Sequence, residues 1–217
     1  DERGNTIDLG IRGNINKLIS YDLTLFNLNY KDRIGFAQKE FKDGSVKSER
    51  GNIGDAIIYG LESNIDFDVN NLIIKNDNIS LNVFLNTAII DSEYIRSEEN
   101  GVIGKKVEFV PNYNIKTGIK LGIGNFIFNT QYSHVSTQFT DSSNAKEGNI
   151  SGIIGEIPGY SLLDFSIAYR LKKIKIETGI NNLTNTYYFT RRATGYPGPG
   201  IIPSPPRNSY LTLQIRF

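Results

Sequence analysis

Cysteine is absent from the 217 residues, and so are methionine and tryptophan. Without thiols there is no disulfide framework, no thiolate metal site and no cysteine nucleophile. The single histidine, His134, has no second imidazole or thiolate with which to complete a transition-metal site. An excess of one charge is missing too: 24 basic residues against 23 acidic ones leave a net charge of +1. That balance supplies no field suited to nucleic acid. Long hydrophobic runs are also lacking, and nothing approaches the ~18–20 consecutive apolar residues of a membrane-spanning helix. A mean hydropathy of −0.30 suits a soluble domain, but it suits a transmembrane β-barrel equally, because alternating strands average out polar. The chain opens on Asp1-Glu2-Arg3-Gly4-Asn5, with neither Met nor signal peptide, and enters a strand pattern at Thr6. It reads as a start inside a larger domain.

What is present favours strands and turns: 21 Gly, 12 Tyr and 12 Phe. Apolar and polar residues alternate with period two in nine successive segments. Ile7, Leu9 and Ile11 open the series, and Tyr21, Leu23 and Leu25 follow. The second segment then shifts phase to Phe26, Leu28 and Tyr30, as a β-bulge or a strand apolar on both faces would do. The third runs from Ile57 to Val69, the fourth from Ile79 to Ile89, and the fifth takes in Val107, Phe109, Tyr113, Ile115 and Ile119. Phe126, Phe128 and Tyr132 mark the sixth, Leu163 to Leu171 the seventh, and Ile174, Ile176 and Ile180 the eighth. Leu211, Leu213, Ile215 and Phe217 close the chain.

The connections alternate as well. Short ones fall near 14–20, 70–78, 122–125 and 171–173; long polar ones fall near 37–52, 91–105, 141–158 and 189–208. Short turns at one rim and long loops at the other describe an up-and-down meander of the outer-membrane kind. Greek-key crossings in a soluble sandwich give no such order. Strand length points the same way: several segments run to roughly 11–15 residues, against the ~5–6 usual in globular proteins. Glu62, Asn64, Asp66 and Asp68 share one face of a single strand, which suits a wet lumen. Tyr21, Tyr59, Phe109, Tyr132, Tyr160, Tyr187, Tyr188 and Tyr210 near strand ends match interfacial aromatic girdles. The expected fold is therefore all-β, an antiparallel up-and-down transmembrane β-barrel of which these nine strands form only part.

From Thr178 onward the sequence resembles the TonB-dependent receptor family. Gly179-Ile180-Asn181-Asn182-Leu183-Thr184-Asn185-Thr186-Tyr187-Tyr188 is similar to the penultimate-strand motif G-V-x-N-L-F-D-x-x-Y, with Thr184 and Asn185 replacing Phe-Asp. The loop Tyr196-Pro197-Gly198-Pro199-Gly200 and a closing strand ending in Phe217 also look like that family. Upstream, Tyr59-Gly60-Leu61-Glu62 is similar to its G-x-E strand start. Residues 104–113, with Pro111, look like its habit of a proline just inside a strand after a long loop. Residues 131–141 and 190–197 resemble the ferric-citrate-type branch.

The resemblance implies that residues 1–217 are the C-terminal part of a barrel of about 22 strands. It further implies a plug domain and TonB box elsewhere, and energised uptake of an iron chelate through the TonB–ExbB–ExbD complex. A receptor for cobalamin or oligosaccharide, or a passive porin-like barrel, are the alternatives. Implied partners are the chelate, outer-membrane lipid and lipopolysaccharide, and the barrel-assembly machinery, with no nucleic acid. That machinery would read Tyr210, Leu211, Leu213, Ile215 and Phe217 as an insertion signal.

Surface loops usually carry binding, and residues 189–207 hold Arg191, Arg192 and Arg207 with no acid. Guanidinium groups grip carboxylates in bidentate fashion. Arg191 and Arg192, with Tyr188 or Tyr196, are therefore the candidate contacts for an anionic chelate; pairing with lipopolysaccharide phosphates or loop acids is the plainer role. No base–nucleophile arrangement accompanies Glu62, Asp66 and Asp68, so no enzyme, cofactor or metal site is expected.

Overall fold

The computed structural model describes residues 1–217 except Gly44 and 194–198, and omits the side chains of Phe36, Gln38, Lys39, Glu40, Val46 and Ser48. Nine strands form one antiparallel sheet in sequence order: β1 (Arg3–Ile15), β2 (Ile19–Glu40), β3 (Val46–Asp68), β4 (Ile79–Arg96), β5 (Tyr113–Ile123), β6 (Phe126–Val135), β7 (Tyr160–Leu171), β8 (Ile174–Asn181) and β11 (Asn208–Ile215). A small hairpin, β9 (Phe189–Ala193) with β10 (Gly200–Pro203), is inserted between β8 and β11. The one helical stretch among the described residues is a π-turn, Asn70–Ile74.

Register assigns every side chain to a face, since successive residues of a strand point to opposite sides. Leu9, Leu25, Leu61, Ile89 and Tyr113 lie in one cross-strand row, and Ile15, Ile19, Phe67, Val83, Ile119, Thr130 and Phe165 in another. This is the apolar, outer face. The inner face carries the row Arg12, Asp22, Asn64, Asn86, Lys116 and Ser133. Short turns join the strands at one rim (16–18, 69–78, 124–125, 172–173). At the other rim stand the β2–β3 hairpin and the connections 97–112, 136–159 and 182–207. The alternation of short and long links read from the sequence is thus the alternation of the two rims.

Three details differ from the sequence reading. Pairing on both sides of β2 runs without interruption from Ile19 to Tyr30, so the phase change is no bulge. Phe26, Leu28 and Tyr30 are instead inner-face residues, and Asn27 and Asn29 take the outer face. The irregularity comes later, between Tyr30 and Ile34, where Asp32 adopts a left-handed backbone (φ 53°). Second, most of the loop expected at 37–52 is strand: β2 and β3 stay paired out to Glu40 and Val46. Third, Val107 and Phe109 are not in β5, which starts at Tyr113. Pro111 has no N–H to pair, Phe109 is left-handed (φ 60°), and Val107 is buried. Pro111 accordingly precedes the strand rather than sitting inside it.

Candidate ligand-facing loop layer

The long-loop rim is a packed layer. Residues 104–112 run beside the upper half of β4, with Tyr94 N–H donating to the Lys105 carbonyl (2.9 Å) and Ile90 N–H to that of Asn112 (2.9 Å). Val107 packs with Ile53, Ala56, Tyr94 and Val102 in a buried apolar cluster. Glu108 enters the same region with its side chain only 2% exposed. Arg33 donates to Glu108 Oε1 (2.6 Å) and to the Tyr94 hydroxyl oxygen (2.7 Å), and that hydroxyl donates to Glu108 Oε2 (2.7 Å). Burial drives the Tyr94 hydroxyl well above its ordinary pKa, and the charge of Glu108 adds to this. For Arg33 burial is the largest single influence and acts downward, yet the charges and hydrogen bonds of Glu108 and Tyr94 together outweigh it and hold the guanidinium above its usual value.

The loops join in series. Lys106 N–H donates to Asn144 Oδ1 (2.6 Å) while Asn144 Nδ2 donates to the Lys106 carbonyl (2.9 Å). Phe109 N–H bonds the Phe139 carbonyl (2.9 Å). Gln138 and Ile157 form a bridge that closes the 136–159 loop on itself. Arg192 then ties that loop to β9, donating through Nη1 to the Gly152 carbonyl (2.7 Å) and through Nε and Nη2 to the Glu156 carbonyl (3.1 and 2.8 Å). Its guanidinium lies 5.1 Å from the Phe189 ring centre.

Among the described residues the structure gives three of the four predicted contacts different surroundings. Arg191 and Arg192 are neighbours on a strand and point to opposite sides: Arg191 is exposed, whereas the donors of Arg192 are directed at loop carbonyls. Tyr188 is half-buried and packs against Tyr160 with the rings tilted, 4.6 Å between centres. Tyr196 lies outside the described residues. Of the residues grouped at the chain end, Leu211, Leu213 and Ile215 face outward, while Tyr210 faces inward and donates to Glu177 Oε1 (3.0 Å). Phe217 follows the last strand and is fully exposed. Arg33, Tyr94, Glu108 and Asn144 were missed by sequence reasoning, because the loops that bring them together have no period to read.

Below the loops the inner face forms a polar groove of about 530 Å³ lined by Asp22, Thr24, Glu62, Asn64, Asn86 and Lys116 among others. Interleaved acids, amides and a lysine suit a hydrated wall rather than a reaction centre. Glu62, Asp66 and Asp68 are spread along β3, and no group of three or more His, Cys, Asp or Glu able to hold a metal occurs among the described residues. His134 is on the outer face, 2.9 Å from Ser161 Oγ.

Comparison with known proteins gives this geometry its context. The family described as TonB dependent receptor-like, beta-barrel, matches residues 1–183. Among solved structures, the ferric citrate transporter FecA in its unliganded form superposes with a TM-score of 0.78 at 24% identity, covering 98% of this chain and 31% of that one. The ferric yersiniabactin uptake receptor FyuA from Yersinia pestis gives 0.73 at 18% identity, covering 100% and 30%. The copper transporter OprC gives 0.73 at 19%, covering 100% and 31%. The chain thus spans about a third of the length of the proteins it matches.

Proposed function

This chain belongs to the TonB-dependent receptor-like β-barrel family, and from that premise we propose that it is a stretch of outer-membrane wall in a receptor importing a scarce iron chelate. One observation carries the reading: nine strands paired in sequence order keep a mainly apolar outer face and, below the loop layer, a mainly polar inner face, with every long loop at one rim. An outer face of that kind suits hydrocarbon, and an inner face of that kind suits a wet, plugged lumen. The long-loop rim is then extracellular. In this reading energy comes from TonB–ExbB–ExbD, coupled through a plug domain of the receptor. Two structural neighbours, a ferric citrate transporter and a ferric yersiniabactin uptake receptor, support iron as the cargo.

Within the loop layer Arg191 is the candidate to meet an anionic chelate, a role its exposure on the β9–β10 hairpin supports. Arg192 and Tyr188 set the position of that hairpin, and Tyr196 keeps the contact role expected from the sequence. A charge-assisted bond contributes about 1.5–3 kcal/mol. In the full-length receptor, Arg191→Ala is therefore expected to weaken ferric citrate binding about tenfold or more, measured by calorimetry. Arg192→Ala is expected to act through the loop, raising hydrogen exchange across 150–157. Unchanged ferric citrate affinity in Arg191→Ala would remove Arg191 from the site. Absence of iron-starvation induction of the receptor would turn the cargo assignment toward another nutrient.

A further inference from the structure

The short-turn rim is unusual in two ways that the transport reading leaves unused. Its four turns hold Lys17, Lys75, Lys172 and Lys173 against a single acid, Asp77, although the chain as a whole is balanced in charge. Three of those lysines, Lys17 (φ 60°), Lys75 (φ 54°) and Lys172 (φ 46°), sit in the left-handed backbone conformation that side chains disfavour. The remaining turn uses Gly124 (φ 54°) for the same geometry, which is what turn chemistry alone would choose. Lysine recurs where glycine would fold more easily.

The same rim exposes apolar residues where a turn in water would be polar. Leu72, Ile73 and Ile74 in the π-turn are 45%, 70% and 40% exposed. Leu171, Ile174 and Ile215, at the ends of outer-face rows, flank the tip formed by Lys172 and Lys173. Arg170, Lys175 and Arg216, on the inner face, line a groove of about 210 Å³ together with Lys172 and Lys173 of the tip. Lys175 is paired with Glu177 (2.5 Å), and no ion pair is found for the other four among the described residues. Arg216 N–H, bonded to the Lys173 carbonyl (2.9 Å), holds the end of the chain against the turn.

Apolar side chains continuous with the hydrocarbon-facing rows, with cations immediately beyond them, fit the level of phospholipid phosphates. We propose that the short-turn rim binds anionic phospholipid of the facing leaflet, with the tip formed by Lys172 and Lys173, flanked by Leu171, Ile174 and Ile215, as its tightest seat. The π-turn and the ends of the outer rows sit among the upper acyl segments, and the lysine ammonium groups meet the headgroup phosphates. The inference rests on the membrane reading above, which supplies the leaflet.

The test uses the full-length receptor in nanodiscs of phosphatidylethanolamine and phosphatidylglycerol, with spin-labelled phosphatidylglycerol or phosphatidylethanolamine as the probe. The immobilised fraction gives their relative association constants. Wild type is expected to prefer phosphatidylglycerol, and Lys172→Gln/Lys173→Gln to lose about fivefold of that preference or more. Lys17→Gln/Lys75→Gln is expected to lose a comparable share, and Lys42→Gln at the opposite rim none. An unchanged preference in both double variants, with the barrel inserted and heat-modifiable, overturns the lipid site and points to an acidic protein partner. If neither probe is immobilised and no heat-modifiable form exists, the membrane reading itself fails.

Discussion

Single side chains decide how the loop layer is anchored. The Glu108 carboxylate lies inside a nearly dry contact whose counter-charge, Arg33, is also largely buried. Removing one partner of a buried pair leaves the other uncompensated, at about 3–5 kcal/mol. Glu108→Ala in the full receptor should therefore release residues 104–112, seen as a rise in their amide exchange, while the strands below remain protected. Gly35 belongs to the same site, because a Cβ there would stand 2.3 Å from Glu108 Oε1. Gly35→Ala should reproduce the loosening without removing a charge. A second anchor, Arg96, reaches Asp55 through Nε (2.6 Å) and Nη2 (3.0 Å). That bond, helped by the Asp32 N–H, holds the Asp55 carboxyl down at about 2. The folded value is depressed, so this contribution is complete above the unfolded carboxylate pKa of about 3.9 and is lost as pH falls toward 2. Exchange across 52–56 and 96–99 should stay flat from pH 7 to 5 and rise between pH 4 and 2; a rise already at pH 6 would contradict the assignment. None of this was legible in the sequence. Arg33 and Glu108 are 75 positions apart, and no periodicity links an irregular loop to the strand it covers.

At the level of elements, period-two alternation decided almost everything about which face each residue takes, because register leaves no freedom once one face is apolar. It failed where polarity ceased to follow the face. Above Leu25 the outer side of β2 turns to Asn27 and Asn29, and the inner side turns apolar beneath the loop layer. Val107 and Glu108 were credited to a strand because a buried loop can imitate alternation for a few residues. The motif at 179–188, read only as a resemblance, now has physical content. Gly179 is paired with Tyr210, and an added Cβ would lie 2.6 Å from that ring. The glycine thus makes room for an aromatic lying across the β8–β11 pair. Asn182, left-handed at φ 52° and buried, closes the following turn. Its Nδ2 donates to the Thr186 carbonyl (2.8 Å), and its Oδ1 accepts from Thr186 N–H (2.8 Å). Asn182→Ala loses both bonds and adds strain, so about 2–3 kcal/mol of destabilisation is expected. Gly179→Ala should displace Tyr210 and weaken its bond to Glu177. Both are checked by the temperature at which the full receptor loses its heat-modifiable form, and a shift under 1 °C for Asn182→Ala would refute the closing role.

On the scale of the whole sheet, the dominant fact is that it has two open edges. β1, with 13 residues, pairs only with β2, and β11, with 8, pairs only with β8. On an edge strand about half of the backbone N–H and C=O groups point away from the neighbour. In hydrocarbon each such group left unpaired costs several kcal/mol. The sum over both edges reaches tens of kcal/mol, well beyond the ~5–15 kcal/mol by which native structures exceed their unfolded chains. The outer face makes water no refuge, since Ile7, Leu9, Ile11, Leu211 and Leu213 are each at least 60% exposed along those same edges. Closure by further strands of the receptor is the arrangement that satisfies both demands at once. Residues 1–217 produced alone in detergent should consequently aggregate or stay unfolded, with no heat-modifiable band on electrophoresis and a broad light-scattering distribution. Monodisperse particles with barrel-like mobility would mean that the edges can satisfy each other, and the open-wall picture of this chain would have to be abandoned.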